Sequence, residues 1–131
     1  MALDCKTQGI FSWNELMTTD VEAAKAFYGK LFGWTYDDMP ISEGCMAGST
    51  YAVAKVQGES AAGLMGTVPG QNMPPMWGAY VTVTSIDQSL AETEKLGGKV
   101  LVPKTPIPGM GFFAVIADPQ GAGLGIFEFG A

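Results

Sequence analysis

The sequence predicts an α+β fold made of two tandem βαβββ modules, and two features carry that expectation. The stretch from Trp13 to Gly33 is repeated as Gly78 to Gly98, an offset of 65 residues. Each copy reads as an extended run, a cap residue, an amphipathic helix and a Leu-x-Gly stop, followed by three runs of strand-forming residues. The modules fall at residues 8–65 and 77–130, joined by a Gly- and Pro-rich connector over 66–76 that has no periodicity. Neither module has enough apolar faces to build a core alone, so the two are expected to pack as a pair.

In the first module, SWNELMT is the opening strand, and Thr19 or Asp20 starts the helix with Glu22 placed for a capping box. The helix VEAAKAFYGKLF offers Ala24, Phe27 and Leu31 at helical spacing, beside Val21 and Tyr28, as the face to bury. LFG ends it, and TYDDM, STYAVAKV and AAGLM follow as strands. In the second module AYVTV is the opening strand and Ser85, with Gln88 three residues on, caps the helix IDQSLAETEKL. Ile86 and Leu90 share its apolar face. LGG stops it, and KVLVP, FFAVIA and GLGIFEF complete the module, the last two joined by a DPQG turn in which Asp118 is a turn former. AAGLM aligns with GAGLG at an offset of 60, from Gly63 to Gly123.

Composition narrows the function classes. Seven Lys and no Arg stand against thirteen Asp and Glu, for a net charge of −6, which argues against nucleic acid and against bidentate anion clamping. The absence of histidine removes Ser-His-Asp triads, Cys-His dyads and His-based zinc sites. Cys5 and Cys45 form no Cys-x-x-Cys pattern and read as two reduced thiols. With no signal-like run at the N-terminus and no apolar stretch near about 18 residues, a soluble, cytoplasmic protein with no membrane contact is expected.

The duplicated βαβββ pattern with WNELMTTDVEAAKAFYGKLFGW, LGGKV and AVIADPQGA resembles the vicinal oxygen chelate superfamily over roughly residues 8 to 130. That superfamily includes glyoxalase I, bleomycin-resistance proteins, fosfomycin-resistance enzymes and extradiol dioxygenases. The resemblance implies paired, curved mixed sheets around a cavity, with one helix of each module packed outside. It also implies four metal-ligand positions on the first and last strands, which fall on Trp13, Met65, Gly78 and Gly125. Those residue types do not make a divalent site, so no metal and no cofactor are expected. A shifted reading could pair Glu15 with Glu128, but Glu128 lies three residues from Gly125 and falls on the opposite face of its strand.

Strand alternation then sets the cavity wall. Trp13 brings Glu15 and Met17 to the cavity side and turns Leu16 toward the helix; Gly78 brings Tyr80 and Thr82, and Gly125 brings Phe127. Phe112, and Tyr51 or Lys55, are further candidates. Trp13, Glu15, Met65, Gly78, Tyr80, Phe112, Gly125 and Phe127 are therefore the expected ligand-binding set, with Glu15 the candidate catalytic base because a carboxylate on an otherwise apolar strand needs a partner or a ligand. The reading that follows is a metal-free binder of a small hydrophobic or aromatic molecule, with cationic guests favoured by the net charge. A glyoxalase-like lyase or isomerase, or a dioxygenase, of the same superfamily is the alternative. Open sheet edges and low charge point to a homodimer.

Overall fold

The structure is a computed structural model and describes residues 4–40, 50–67, 74–107 and 110–130. Ten elements follow in order: β1 (Phe11–Thr18), α1 (Val21–Phe32), β2 (Thr35–Pro40), β3 (Thr50–Val56), β4 (Glu59–Gly66), β5 (Met76–Thr82), α2 (Ile86–Lys95), β6 (Lys99–Ile107), β7 (Gly111–Ala117) and β8 (Gly123–Phe129). This is the α+β, twice-repeated βαβββ pattern. Contacts divide the chain into a first unit, Trp13–Trp77, and a second made of the residues up to Ser12 together with those from Gly78 onward.

The first unit has strand order β2-β3-β4-β1, with β1 and β4 parallel and the other pairs antiparallel. Leu16 of β1 and Leu64 of β4 are partners in that parallel ladder, and with Ala52, Ala54 and Ala62 they form the buried core. The three alanines leave a low surface onto which α1 sets Val21, Ala24 and Tyr28. Val21, Ala24 and Tyr28 of the expected face do pack there, but Phe27 and Leu31 do not, each being 59% exposed. Both stripes satisfy helical spacing, and only the rotation of the helix on its alanine floor chooses between them. Asp20, not Thr19, is the N-cap: its Oδ1 accepts from the Ala23 N–H at 3.0 Å. Gly33 ends the helix in the left-handed region at φ 77°, where a side chain would be strained.

Lys25 ties α1 to β2. Its ammonium lies 2.9 Å from Asp38 Oδ1 and 3.3 Å from Glu22 Oε2, and the Tyr36 hydroxyl donates to the Lys25 carbonyl at 3.0 Å. The hydrogen bond to Asp38 chiefly, with Glu22 adding to it against some desolvation, raises the Lys25 pKa above its ordinary 10.5. Burial pushes the Tyr36 phenol above its ordinary 10.0, against the opposing charge of Lys25.

The second unit repeats the arrangement as β5-β8-β7-β6, with β5 and β8 parallel. Val83, Ile86, Ala114 and Ile126 form its core, and Leu90, Phe112 and Ile116 pack on it. Ser85 caps α2 by accepting from the Gln88 N–H at 3.2 Å, and the Glu128 carboxylate accepts from the Ile86 N–H at 2.8 Å, a favourable place for an anion at a helix N-terminus. β6 carries Pro103 and Pro106 and pairs with β7 through two register shifts, as a proline-bearing edge strand must. Asp118 is the turn former, its Oδ1 accepting from the Gln120 and Ala122 N–H groups.

The N-terminal residues 8–12, grouped by sequence with the first module, bond to the second. Gly9 N–H donates to the Thr82 carbonyl, Thr82 N–H donates to the Ile10 carbonyl, and the Gln8 side-chain oxygen accepts from the Thr84 N–H. Thr82 is almost fully buried, and its hydroxyl donates to the Cys5 carbonyl. Cys5 is exposed and free; Cys45 and residues 68–73 of the connector lie outside the described residues. No helix among the described residues is long and apolar enough to cross a membrane.

Two outcomes follow from these contacts. Asp20→Ala is expected to lower the unfolding free energy in urea by about 1 kcal/mol, whereas Thr19→Ala should stay within about 0.5 kcal/mol of wild type. Lys25 and Tyr36 both bind their protons more tightly when folded, so their contribution is complete below pH 10 and is lost as pH rises through the folded-state values. Urea titrations between neutral pH and pH values above 10 should show stability falling, and falling less steeply in the Lys25→Met/Tyr36→Phe double variant.

Candidate functional site

Parallel pairing of the first and last strand of each module settles which side chains face away from the helix. In the first unit Leu16 and Leu64 point into the core under α1, so Glu15, Trp13, Gly63 and Met65, one or three residues away along the same strands, take the other face. On that face Trp13, Glu15 and Tyr51 are joined. The Trp13 indole N–H donates to the Tyr51 hydroxyl oxygen at 2.9 Å, and the Tyr51 hydroxyl donates to Glu15 Oε2 at 2.6 Å. Gly63, the register partner of Glu15, makes room for this, because a Cβ at Gly63 would collide with the Tyr51 hydroxyl.

The second unit builds an aromatic surface at the corresponding place. Tyr80 is the register partner of Gly125, and a Cβ at Gly125 would collide with the Tyr80 ring. Phe113 meets Tyr80 edge-on at 6.3 Å between centroids and is the register partner of Phe127, which in turn contacts Phe129 at 4.7 Å. Lys6 lies 6.0 Å from the centre of the Phe129 ring. Gly78 precedes Tyr80 by two residues and is exposed. Lys55 pairs with Asp37 at 3.1 Å, and Glu128 is held at the N-terminus of α2, on the helix side.

Two placements need correction. Phe112 does not join this surface; it packs on the core beneath α2, with Lys104 4.5 Å from its ring centre, and Phe113 takes the outer face instead. The hairpin register could have shown this in the sequence, since counting back from the Ala117–Gly123 pair sets Phe113 opposite Phe127. Met65 is also not the counterpart of Gly125. Glu15↔Gly63 and Tyr80↔Gly125 are equivalent pairs, so the repeat offset at the last strand is 62 and not 60, and Gly63 holds that position. Identical AGL triplets drew the sequence comparison two residues out of register. Tyr51 was visible as a candidate, but no sequence signal couples it to two residues 36 and 38 positions away.

The corrected four positions, Trp13, Gly63, Gly78 and Gly125, supply no metal donor. The space that a β4 side chain would enter is taken by the Tyr51 hydroxyl, and among the described residues no group of three or more His, Cys, Asp or Glu could hold an ion. A divalent centre does not fit this donor set. A separate groove of about 360 Å³ lies on the helix side of the first unit, lined by Leu16, Ala24, Phe27, Tyr28, Met76 and Trp77 among others; none of the expected site residues borders it.

A sequence profile of the glyoxalase-like domain matches residues 14–127. Among curated proteins, the chain is 39% identical over 123 residues to "Putative glyoxylase CFP32" of Mycobacterium tuberculosis, covering 92% of this chain and 46% of that protein. It is 30% identical over 132 residues to the anthracycline biosynthesis protein DnrV of Streptomyces peucetius, covering 93% of this chain and 48% of the relative. The chain thus spans about half the length of the curated relatives it matches. Among solved structures, methylmalonyl-CoA epimerase from Mycobacterium tuberculosis superposes with a TM-score of 0.64 at 13% identity, over 95% of this chain and 93% of that one. The Streptomyces coelicolor epimerase gives 0.66 at 14%, over 95% and 100%. At these identities the structural likeness is one of fold.

Proposed function

The chain belongs to the glyoxalase-like domain family of the vicinal oxygen chelate superfamily, and from that membership we propose that it is a metal-free binder of a small hydrophobic or aromatic molecule. The observation that carries this reading is the set Trp13–Tyr51–Glu15, a ring and a carboxylate held together on the face of the first unit away from α1, where the two metal-ligand positions of that unit, Trp13 and Gly63, hold no donor. An indole face is suited to a flat apolar guest, and a carboxylate beside it to a positive or N–H-bearing group. The second unit by itself carries an aromatic surface of Tyr80, Phe113 and Phe127, which is likewise suited to a flat guest. Similarity to a protein named for anthracycline biosynthesis, a class of flat aromatic compounds, supports an aromatic guest.

Protein purified without chelator or added metal should contain no stoichiometric zinc, nickel, manganese or iron by elemental analysis, and divalent ions should leave its melting temperature unchanged. About one metal per chain would overturn the metal-free reading. A thermal-shift screen of flat aromatic compounds should yield guests whose affinity falls in Trp13→Ala by roughly 1 to 3 kcal/mol, the usual worth of a large buried apolar side chain. Full affinity in that variant would place the site elsewhere.

We also propose that a second copy of the chain covers α1. That helix has no buried residue and leaves Phe27, Leu31 and Phe32 more than half exposed, while Glu92 stands at the position of α2 that corresponds to Phe27. The curated relatives are long enough to hold a second domain of this size. Sedimentation at micromolar concentration should give a dimer for wild type and a monomer for Phe27→Glu; a wild-type monomer, or a dimer indifferent to the substitution, would refute this assembly.

A further inference from the structure

The outward row of α1 differs between its two ends. Ala23, Phe27 and Leu31 recur every four residues along one line of the helix surface, and all three are exposed. The groove of about 360 Å³ on the helix side follows only the first half of that row: Asp20, Ala23 and Phe27 border it, together with Met76 and Trp77 of β5. Leu31 and Phe32, each more than half exposed, stand beyond it. One end of the helix surface is therefore hollow and the other raised, with Phe27 between them. All of these residues belong to the first unit. The corresponding row of α2, Gln88, Glu92 and Leu96, is polar at two of its three positions, so the repeated fold does not itself require an apolar row here.

We propose that two copies of the chain pair through α1 in antiparallel fashion about a two-fold axis at Phe27, with Leu31 of each copy seated beside Ala23 in the groove of the other. The proposal rests on the dimer argued above and specifies its contact. A two-fold interface must be complementary to itself. Antiparallel pairing about Phe27 brings the residue four positions before it opposite the residue four positions after it, so that a small Ala23 meets a large Leu31, the match by which the ridges of one helix enter the grooves of another. Parallel pairing would set Leu31 against Leu31 and leave both grooves empty. Charge acts in the same direction. Asp20 borders the groove and Lys30 is exposed in the last turn beside Leu31, so antiparallel ends meet as acid and base, and parallel ends as like charges. Met76 is unbranched and adaptable, which suits a groove wall that must close on an incoming side chain. The curated relatives have room for a second domain of this size, which favours a like partner over an unrelated one.

Exchanging the two sizes tests the contact. In sedimentation at micromolar concentration, Leu31→Ala should weaken the dimer about tenfold by leaving the groove unfilled, and Ala23→Leu should weaken it by a similar factor through a clash with Leu31 of the other copy. The double variant Ala23→Leu/Leu31→Ala returns the leucine to the same contact from the opposite side, and should recover to within about threefold of wild type. Both positions are exposed, so neither substitution enters the core. A double variant as weak as the product of the two single losses overturns the antiparallel contact, while dissociation by Phe27→Glu would still uphold the assembly. A wild-type monomer overturns the assembly and this contact together.

Cysteine cross-linking reads the geometry directly, in a Cys5→Ser/Cys45→Ser background. A disulfide needs Cα atoms within about 7 Å. In the antiparallel pair the two copies of position 23 lie about 12 Å apart along the helix axis, whereas position 23 of one copy faces position 31 of the other. Protein carrying Ala23→Cys, mixed with protein carrying Leu31→Cys and left to exchange, should give mainly the mixed disulfide under mild oxidation, identified by mass spectrometry. Self-linked products from each variant, or no disulfide from a dimeric mixture, overturn the proposal.

Discussion

Parallel pairing between the first and last strands of each module is the constraint on which the rest depends. A strand has two faces, and a slip of one residue exchanges them. Leu16 opposite Leu64 and Val81 opposite Ile126 lock that register, because moving either pair would bring its apolar side chains out from under a helix. Once the leucines are committed inward, Glu15 and Gly63 in one unit, and Tyr80 and Gly125 in the other, have no choice but to face outward together.

The glycines turn this register into chemistry. A side chain at Gly63 would occupy the place of the Tyr51 hydroxyl, and one at Gly125 the place of the Tyr80 ring. The same backbone device has opposite results in the two units. In the first, the vacated space admits a phenol that bridges an indole and a carboxylate. In the second it admits a ring that meets Phe113. One duplicated architecture therefore presents a polar cluster in one unit and an aromatic one in the other, which is how a shared fold carries chemistry that fold alone does not specify.

The family's metal positions are relevant in the same way. Where other members place donors, this chain places Trp13 and three glycines, and the volume released in the first unit is occupied by an internal hydrogen-bond chain.

Most of the local structure was legible in the residues. The repeat, both helices, the Ser85 cap, the DPQG turn and the strand alternation that turns Leu16 inward rest on interactions within a few residues of one another, and such signals are carried by the sequence directly. What only the tertiary structure decided were choices between locally equivalent options. Of the face expected on α1, Val21, Ala24 and Tyr28 pack half-buried on an alanine floor contributed by other strands, while Phe27 and Leu31 stay exposed. Residues 5–10 bond to Thr82, more than 70 positions away. Phe113 replaces Phe112 at the surface, and Gly63 replaces Met65 as the counterpart of Gly125, because hydrogen-bond register and not residue similarity sets correspondence. Trp13 and Glu15 could be placed on one face by counting along β1, but the phenol between them comes from β3, and only the folding of β3 beside β4 brings it within reach.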